Sequence, residues 1–248
     1  MIKKPLISII TVVFNGEKKL EKTILSVINQ TYDNLEYIVI DGSSKDGTID
    51  IVKKYEDKIN YWVSEKDSGI YEAMNKGILA SKGDYINFMN AGDFFTRKNL
   101  VSEVVNILNS EKIDLLYGNP YIGNGSYNKV NIKHKIQFIY KTICHQVIFA
   151  KKTCFNNNMF DIRYQWLADY KWLLECFLNK NIKMKYINKE ICYFEPINNC
   201  QTKNMHLKRL SERASIGHEY FFSFEKFLFN INQLRLVIKF KYFWKYKV

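Results

Sequence analysis

LISIITVVFNG, residues 6–16, runs for nine residues with an almost unbroken apolar, β-branched character before Asn15-Gly16 stops it. Only Ser8 and Thr11 interrupt the run, and they set up no alternation. A strand with one wet face alternates polar and apolar residues; a strand covered on both faces does not. The stretch predicts a strand buried inside a sheet that has helices on each side.

The next hundred residues repeat the theme. Residues 17–29 place Leu20, Ile24, Val27 and Ile28 on one helical face. Glu36-Tyr37-Ile38-Val39-Ile40 is a second buried strand, ending on Asp41-Gly42-Ser43-Ser44. Residues 47–55 read as a helix and Tyr61-Trp62-Val63 as a short strand. Ile70, Ala73, Met74, Gly77 and Ile78 form the i, i+3, i+4, i+7, i+8 stripe of a helix lying on a sheet. Tyr85 to Asn90 is again a strand, and Ala91-Gly92-Asp93 follows it. Strand and helix in alternation specify βαβ units. The expectation is an α/β fold: a mostly parallel central sheet flanked by helices, with a C-terminal helical extension. Beyond Gly118 the pattern loosens. His145 to Ala150 and Lys183 to Phe194 read as strands, Leu167 to Asn179 as a helix, and Lys203 to Phe229 as one long helix. Gly123 to Ser126 and Asn198 to Gln201 read as turns.

Composition narrows the partners. With 37 Lys+Arg against 25 Asp+Glu, the 248-residue chain has a formal net charge of +12. Such an excess favours polyanions: nucleic acid, anionic membrane or phosphorylated small molecules. A nucleic-acid binder is the second class that this charge and the aromatic content admit, although the basic residues are dispersed and no RNP, KH or helix-turn-helix signature occurs. The five cysteines form no C-x-x-C pair, which points to free thiols in a reducing compartment. The start of the chain lacks a signal-peptide pattern, and no run of about eighteen apolar residues could span a bilayer.

In open α/β sheets, ligands bind at the carboxyl ends of the strands. The polar clusters fall there: Asn15, Asp41-Gly42-Ser43, and Asn90 to Asp93. Two nucleotide fingerprints are excluded. Gly42-Ser43-Ser44-Lys45-Asp46-Gly47-Thr48 has glycine spacing like a P-loop, but Thr48 stands where the lysine belongs, and no G-x-G-x-x-G occurs. What remains is a sheet presenting acids. Asp41 and Asp67 can accept hydrogen bonds from ribose hydroxyls or a base N–H. Asp93 suits a divalent cation, since Mg²⁺ is often held by one or two carboxylates plus substrate phosphates. The plainer reading is equally open at this point: Asp after a strand often caps a turn or a helix.

The segments SIITVVFNGEKKLEKTILSVINQTYDNLEYIVIDGSSKDGT and SEKDSGIYEAMNKGILASKGDYINFMNAGD, followed later by CHQVIFA and WLADYKWLL, resemble the inverting family 2 glycosyltransferases of GT-A fold. The resemblance is to the branch that adds sugars during bacterial surface-polysaccharide synthesis. It implies a nucleotide-diphospho-sugar donor, a UDP-sugar first among them, and a glycan or lipid-linked acceptor. It implies that Phe14, Asn15, Asp41, Ser43 and Asp67 line the nucleotide-sugar pocket and that Asp93 holds Mg²⁺ or Mn²⁺. The family usually carries D-x-D or a D-D pair there, where this chain has Asn90-Ala91-Gly92-Asp93. An inactive relative that only binds sugar nucleotide is therefore a further alternative. Inversion needs a base for the acceptor hydroxyl. Asp169 matches the family's acid, with Asp161 as the alternative. His145 and Gln146 are expected to reach acceptor hydroxyls, and Trp166 either stacks on a sugar ring or joins the core. The implied organisation is a catalytic domain over residues 1–232, with a nucleotide-binding half to about 118 and an acceptor-binding half from 119. The basic, aromatic tail of residues 233–248 is expected to touch anionic lipid, placing the protein in the cytoplasm, at the inner face of the membrane.

Overall fold

The computed structural model describes residues 4–122, 126–127, 129–156, 158–194, 203–222, 226 and 228–236. The Gly123–Gly125 part of the first expected turn, the Asn198–Gln201 turn and the tail beyond Leu236 lie outside them. The chain forms two compact units, Met1–Asn131 with Ile143–Pro196, and Ile132–Thr142 with Ile197–Val248.

In the first unit the sheet grows from the quoted stretch. Strand β1 (Ile7–Val13) is buried along its whole length. It pairs in parallel with β2 (Leu35–Asp41), Ile7 opposite Leu35 through Val13 opposite Asp41. β3 (Tyr61–Ser64) extends that side in parallel. β4 (Tyr85–Phe88) lies parallel to β1 on its other side, Ile7 opposite Tyr85. The two polar residues of β1 are satisfied inside the protein. Ser8 donates to Glu36, and Thr11 donates to the Met89 carbonyl at 2.7 Å. Fully burying an Ile or Val side chain is worth about 1.5–3 kcal/mol, so the apolar majority of β1 outweighs what those two groups cost.

Helices α1 (Leu20–Ile28), α2 (Thr48–Lys54) and α3 (Ile70–Ala80) connect these strands. α2 falls within a residue of its expected bounds, and α1 starts three residues later than expected. α3 packs on β1 so closely that a Cβ on Gly77 would sit 2.5 Å from Ile10 Cγ2. That explains a glycine inside a helix, where it otherwise costs about 1 kcal/mol. The chain leaves β1 towards β2 and β3, then crosses back to β4. The reversal opens a crevice at the carboxyl ends of β1 and β4.

Beyond β4 the sheet is mixed. Its order is β3-β2-β1-β4-β8-β6-β9-β5, with β7 (Ser126–Tyr127) on β6 (Leu115–Ile122). β8 (Ile148–Lys151) runs antiparallel to both β4 and β6. β9 (Met184–Phe194) is parallel to β6, and the short β5 (Phe94–Phe95) is antiparallel to β9. α4 (Leu100–Glu111) and α5 (Ala168–Leu178) complete the unit. Part of the expected strand at residues 145–150 is different: His145–Val147 is a single tight 3₁₀ turn, and the strand begins at Ile148. Asn87 imposes it. Its amide nitrogen donates to the Gln146 carbonyl at 3.0 Å and the Ile148 carbonyl at 2.8 Å.

In the second unit the single long helix expected over 203–229 ends early. α6 is Lys203–Tyr220, and residues 228–236 are helical again. The Phe221 and Phe229 rings, both fully buried, lie 5.3 Å apart. Eight residues of continuous helix would separate them by about 12 Å of rise. Burial of the two rings against each other favours the break. Arg213 donates to the carbonyls of Phe138 and Ile139, tying α6 to residues 132–142.

Candidate active site

Three strand ends and one turn of the first unit build the site. At the end of β1, Phe14 is 65% exposed, and Asn15 takes a left-handed φ of 50°. That conformation lets its N–H reach Ser44 Oγ at 2.7 Å while its Oδ1 accepts from the Lys45 N–H at 2.9 Å. Asn tolerates it better than most residues.

At the end of β2, Asp41 is buried, and the protein itself supplies its donors. It accepts from the Ser44 N–H at 2.9 Å and hydroxyl, and from the Ser64 hydroxyl at 2.6 Å. This is the turn-closing role that the sequence left open. Ser43, at φ 66°, stands on that turn. Gly42 is pressed from both sides: a Cβ there would come 2.8 Å from Asp67 Oδ2 and 3.4 Å from Phe14 Cδ2. So Phe14, Gly42 and Asp67 form one wall, with an exposed aromatic face beside a carboxylate. Burial raises the Asp67 carboxyl above its usual range, opposed by the Gly69 N–H and Lys76 and reinforced by Glu72 and Asp41. A carboxylate raised by burial is a strong hydrogen-bond acceptor.

At the end of β4, residues 89–91 continue along β1. The Met89 and Ala91 N–H groups donate to the carbonyls of Ile10 and Val12. Gly92 then turns at φ 107°, a conformation that strains any side-chain-bearing residue. Thr23 on α1 pins the turn, accepting from the Gly92 N–H at 2.9 Å and donating to the Asp93 carbonyl at 2.8 Å. The turn delivers Asp93, 6% exposed, to Gln146, whose Nε2 donates to Asp93 Oδ2 at 2.7 Å.

His145 is the neighbour of Gln146 on the same tight turn. Its Nδ1 is 2.9 Å from Asp169 Oδ2, and its Nε2 is 2.8 Å from Asn90 Nδ2. Asp169 lies in the first turn of α5. Its Oδ1 accepts from the Tyr71 hydroxyl and from the Tyr170 N–H, each at 2.8 Å. Burial works against the charge of Asp169, and the hydrogen bonds from His145, Tyr71 and Tyr170 outweigh it, holding the carboxyl below its usual range. The Phe88 ring meets the His145 ring edge-on, with centroids 6.3 Å apart. Asp93, Gln146, His145, Asn90 and Asp169 thus stand in one connected cluster between the end of β4 and the start of α5.

The remaining candidates fall elsewhere. Asp161 pairs with Arg163 and Lys171, and the Arg163 hydrogen bond drives its carboxyl far below the usual range against the opposing effect of burial. A carboxylate so held is a weak base. Trp166 is half-buried just before α5; the tryptophan stacked in the core is Trp172, 4.5 Å from Phe155. Burial pushes the Cys144 thiol up to about 12 and Cys154 up to about 11, so neither is a nucleophile at neutral pH.

Tyr71 and Asn87 escaped the reading of the sequence. Asn87 had a signal: it is the only polar residue in the apolar run from Ile86 to Met89, and a buried amide must bond to something. Tyr71 had none, since it lies 98 residues from its partner.

Among the described residues no group of three or more His, Cys, Asp or Glu side chains could hold a metal. Asp93 nonetheless supplies the hard carboxylate oxygen that Mg²⁺ or Mn²⁺ requires, and one such acid suffices where substrate phosphates fill the rest of the shell. No described helix is long and apolar enough to cross a membrane.

The model of the family "Glycosyl transferase family 2" matches residues 8–176. A "PGL/p-HBAD biosynthesis glycosyltransferase" of Mycobacterium bovis (strain BCG / Pasteur 1173P2) is 26% identical over 222 residues, 86% of this chain and 87% of that protein. Among solved structures, S. aureus TarS 1-349 in complex with UDP has a TM-score of 0.69 at 19% identity, covering 86% of this chain and 64% of that one. A mannosyltransferase from Pyrobaculum calidifontis in complex with GDP-Man and Mn2+ has a TM-score of 0.64 at 13% identity, with 88% and 64% covered. The chain spans just under two thirds of the length of these two solved proteins. Its strand order, the polar clusters at its strand ends and the family match over residues 8–176 together make it a member of glycosyl transferase family 2, with a GT-A type fold.

Proposed function

We propose that the protein transfers a sugar from a nucleotide-diphospho-sugar, a UDP-sugar in the first instance, to a glycan or lipid-linked hydroxyl, with inversion, in bacterial surface-polysaccharide synthesis. The observation that carries this reading is the cluster at the end of β4. An acid suited to a metal-bound diphosphate, Asp93, and a histidine–carboxylate pair suited to activating a hydroxyl, His145 with Asp169, are joined through Gln146 and Asn90. A solved relative binds UDP-GlcNAc and another binds GDP-Man with Mn2+, which supports a nucleotide sugar as donor.

In this reading residues 1–118 hold the donor. The base stacks on Phe14, the ribose or base N–H bonds to Asp67, and Asn15, Asp41 and Ser43 shape the pocket between them. Asp93 holds Mg²⁺ or Mn²⁺, which would neutralise charge on the departing diphosphate. Residues 119–232 meet the acceptor, with Gln146 and Trp166 at its hydroxyls and ring. Asp169 and the imidazole it holds activate the attacking hydroxyl. The unit of residues 132–142 and 197–248 has 13 Lys+Arg and 3 Asp+Glu, and so carries +10 of the chain's +12. That supports a peripheral contact with anionic lipid at the inner face of the cytoplasmic membrane, with the tail of residues 233–248 as its most basic, aromatic part.

The Asn90-Ala91-Gly92-Asp93 segment, with one acid where the family usually has two, favours a second reading, a relative that binds sugar nucleotide without turnover. One experiment separates them. A panel of nucleotide sugars with and without Mn²⁺ is screened by thermal shift, since a ligand of the folded state stabilises by mass action. The stabilising donor is then incubated with acceptors, and release of nucleoside diphosphate is measured. Stabilisation with release supports the transferase; stabilisation without release supports the second reading; no stabilisation by any nucleotide sugar refutes both.

A further inference from the structure

We propose that Tyr71 is a positioning residue for Asp169: its hydroxyl closes one carboxylate oxygen, Oδ1, and so aims the other, Oδ2, at the acceptor hydroxyl. The inference deepens the sugar-transfer reading above and rests on it. A carboxylate has about four acceptor sites, two on each oxygen. Three are filled in Asp169. The Tyr71 hydroxyl and the Tyr170 N–H both donate to Oδ1, each at 2.8 Å. His145 Nδ1 faces Oδ2 at 2.9 Å, and it carries the hydrogen of that bond, because a carboxylate can only accept. The site left over is on Oδ2. The Asp169 side chain keeps 13% exposure, so the protein does not seal the group off. Tyr170 belongs to the same helix as Asp169 and moves with it. Tyr71 is on α3 and gives the carboxyl an outside reference. Its ring is 6% exposed and fixed against Phe160, with centroids 5.5 Å apart.

Asn75 provides a second, independent observation. It lies one turn further along α3, on the same face as Tyr71. Its Nδ2 donates to the Phe160 carbonyl at 2.8 Å, and its Oδ1 accepts from the Phe160 N–H at 3.0 Å. One face of α3 therefore grips the segment 160–169 at both ends, by its backbone at Phe160 and by its carboxylate at Asp169. The same helix begins directly after Asp67 and Gly69, whose N–H donates to Asp67 Oδ1 at 3.0 Å. Tyr71 thus stands four residues from an acid read as a donor contact, with its hydroxyl on the acid read as the base.

The step it serves balances. The acceptor O–H breaks and its proton goes to Asp169 Oδ2. The freed oxygen pair forms the bond to the anomeric carbon. The bond from that carbon to the diphosphate oxygen breaks, and its electron pair leaves with the nucleoside diphosphate. Asp169 then returns the proton to water.

Tyr71→Phe tests this, because it keeps the ring against Phe160 and removes only the hydroxyl. A hydrogen bond to the charged form favours that form, so losing one raises the pH at which Asp169 takes up a proton. A base fails as it is protonated, so the acid limb of kcat/KM moves to higher pH. The other groups around Asp169 are His145 on the turn at 145–147, the Cys144 thiol before it, which burial keeps neutral, Asp93 beyond Gln146, and Lys171 on α5, which pairs with Asp161 and Glu175. The substitution leaves all of these in place. Turnover is read as nucleoside diphosphate released from the nucleotide sugar and acceptor selected by the screen above, from pH 4 to 8, and donor affinity by calorimetry with UDP and Mn²⁺. In Tyr71→Phe, kcat should fall roughly 10–150-fold, the worth of a hydrogen bond to a charged group, with the acid limb shifted up and UDP affinity within about twofold. In an Asp169→Asn background the same substitution should cost less than about threefold, since residues that act as a unit are not additive. A Tyr71→Phe protein within about threefold of wild type overturns the proposal. So does a loss of kcat with an unmoved limb, or one repeated in full beside Asp169→Asn, either of which makes Tyr71 structural. Loss of UDP affinity in step with kcat also overturns it, placing Tyr71 in the donor site. A wild-type protein that turns over no sugar nucleotide is a different failure, that of the transferase reading itself.

Discussion

Asn87 is the hinge between the half of the site that comes from β4 and the half that comes from the turn at 145–147, and its replacement has a calculable cost. The side chain is fully buried, and its two N–H groups hold the carbonyls of Gln146 and Ile148. Asn87→Ala leaves both carbonyls short of a donor in a dry interior, at about 1–3 kcal/mol each. It also removes Asn87 Oδ1, which has no partner in the native protein, and that returns a similar amount once. The net expectation is a loss of about 1–3 kcal/mol, or about 2–12 °C in Tm for a protein of this size. Asn87→Asp has the same shape and is more informative. A carboxylate cannot donate and would face two carbonyl oxygens, so the cost rises to about 3–5 kcal/mol at pH 7. The variant can relieve this by binding a proton, which restores one donor. Its folded-state pKa is then raised above the unfolded value, so the folded state binds more protons. Stability is therefore highest below the unfolded pKa and falls as pH rises through the folded one. Urea melts of the three proteins between pH 5 and 8 should show Asn87→Asp gaining on Asn87→Ala as pH falls. If the two variants are equally stable at pH 7 and keep the same gap at pH 5, the amide does not hold the turn and the reasoning fails.

Asp93→Asn keeps an oxygen for Gln146 Nε2 but removes the charge; Mn²⁺ should no longer enhance UDP binding in calorimetry, and transfer should fall to the level of the EDTA-treated wild type. Retained activity in EDTA for both proteins would remove the metal from the site. Deleting residues 234–248 should reduce pelleting with anionic liposomes while transfer to a soluble acceptor survives; unchanged pelleting would move the lipid contact elsewhere. Glu103 is held at a pKa of about 2, from a usual 4.5, by hydrogen bonds from Arg97 and then Lys189. The depressed value means that its contribution is full above about pH 4.5 and disappears as pH falls towards 2. Glu103→Gln should cost about 1 kcal/mol at pH 7, given a partly exposed pair, and nothing near pH 2, as acid-titrated melts will show.

The first half of the fold was legible because its signals are local. A parallel strand covered on both faces writes itself as an apolar run, and a helix on a sheet writes itself as a stripe. Leu6 to Asn90 contains three such runs, and the strand ends that carry Asn15, Asp41 and Asp93 follow from them directly. The second half was less legible because its strands are held by pairing rather than by pattern. β6 carries Gly118 and Pro120 inside a strand, a sequence that argues against one. The structure accommodates them at a shift in register between β6 and β9, where a Cβ on Gly118 would meet Ile191. The early end of α6 is a tertiary effect of the same kind, decided by two phenylalanines finding each other.

The site divides along the same line. Which residues to consider was suggested by strand ends and by the resemblance, but the contacts each one makes depend on partners that sequence distance hides. Asp41 and Asp93 look alike in sequence, each an acid after a buried strand. In the structure Asp41 is enclosed by Ser44 and Ser64 and closes a turn, whereas Asp93 is handed to a side chain from a turn more than fifty residues away. Asp161 and Asp169 were rivals for one role. Two cations occupy the first, and the second is bonded to an imidazole whose far nitrogen meets an amide at the end of β4. The deciding variable in each pair is the identity of the donor. Serine N–H and O–H groups or a guanidinium leave a carboxylate spent. A glutamine amide or an imidazole leaves it coupled to a group that can still reach a substrate. That is why the proposed reading sets the chemistry at the end of β4, the place where the parallel half of the sheet first meets strands running the other way.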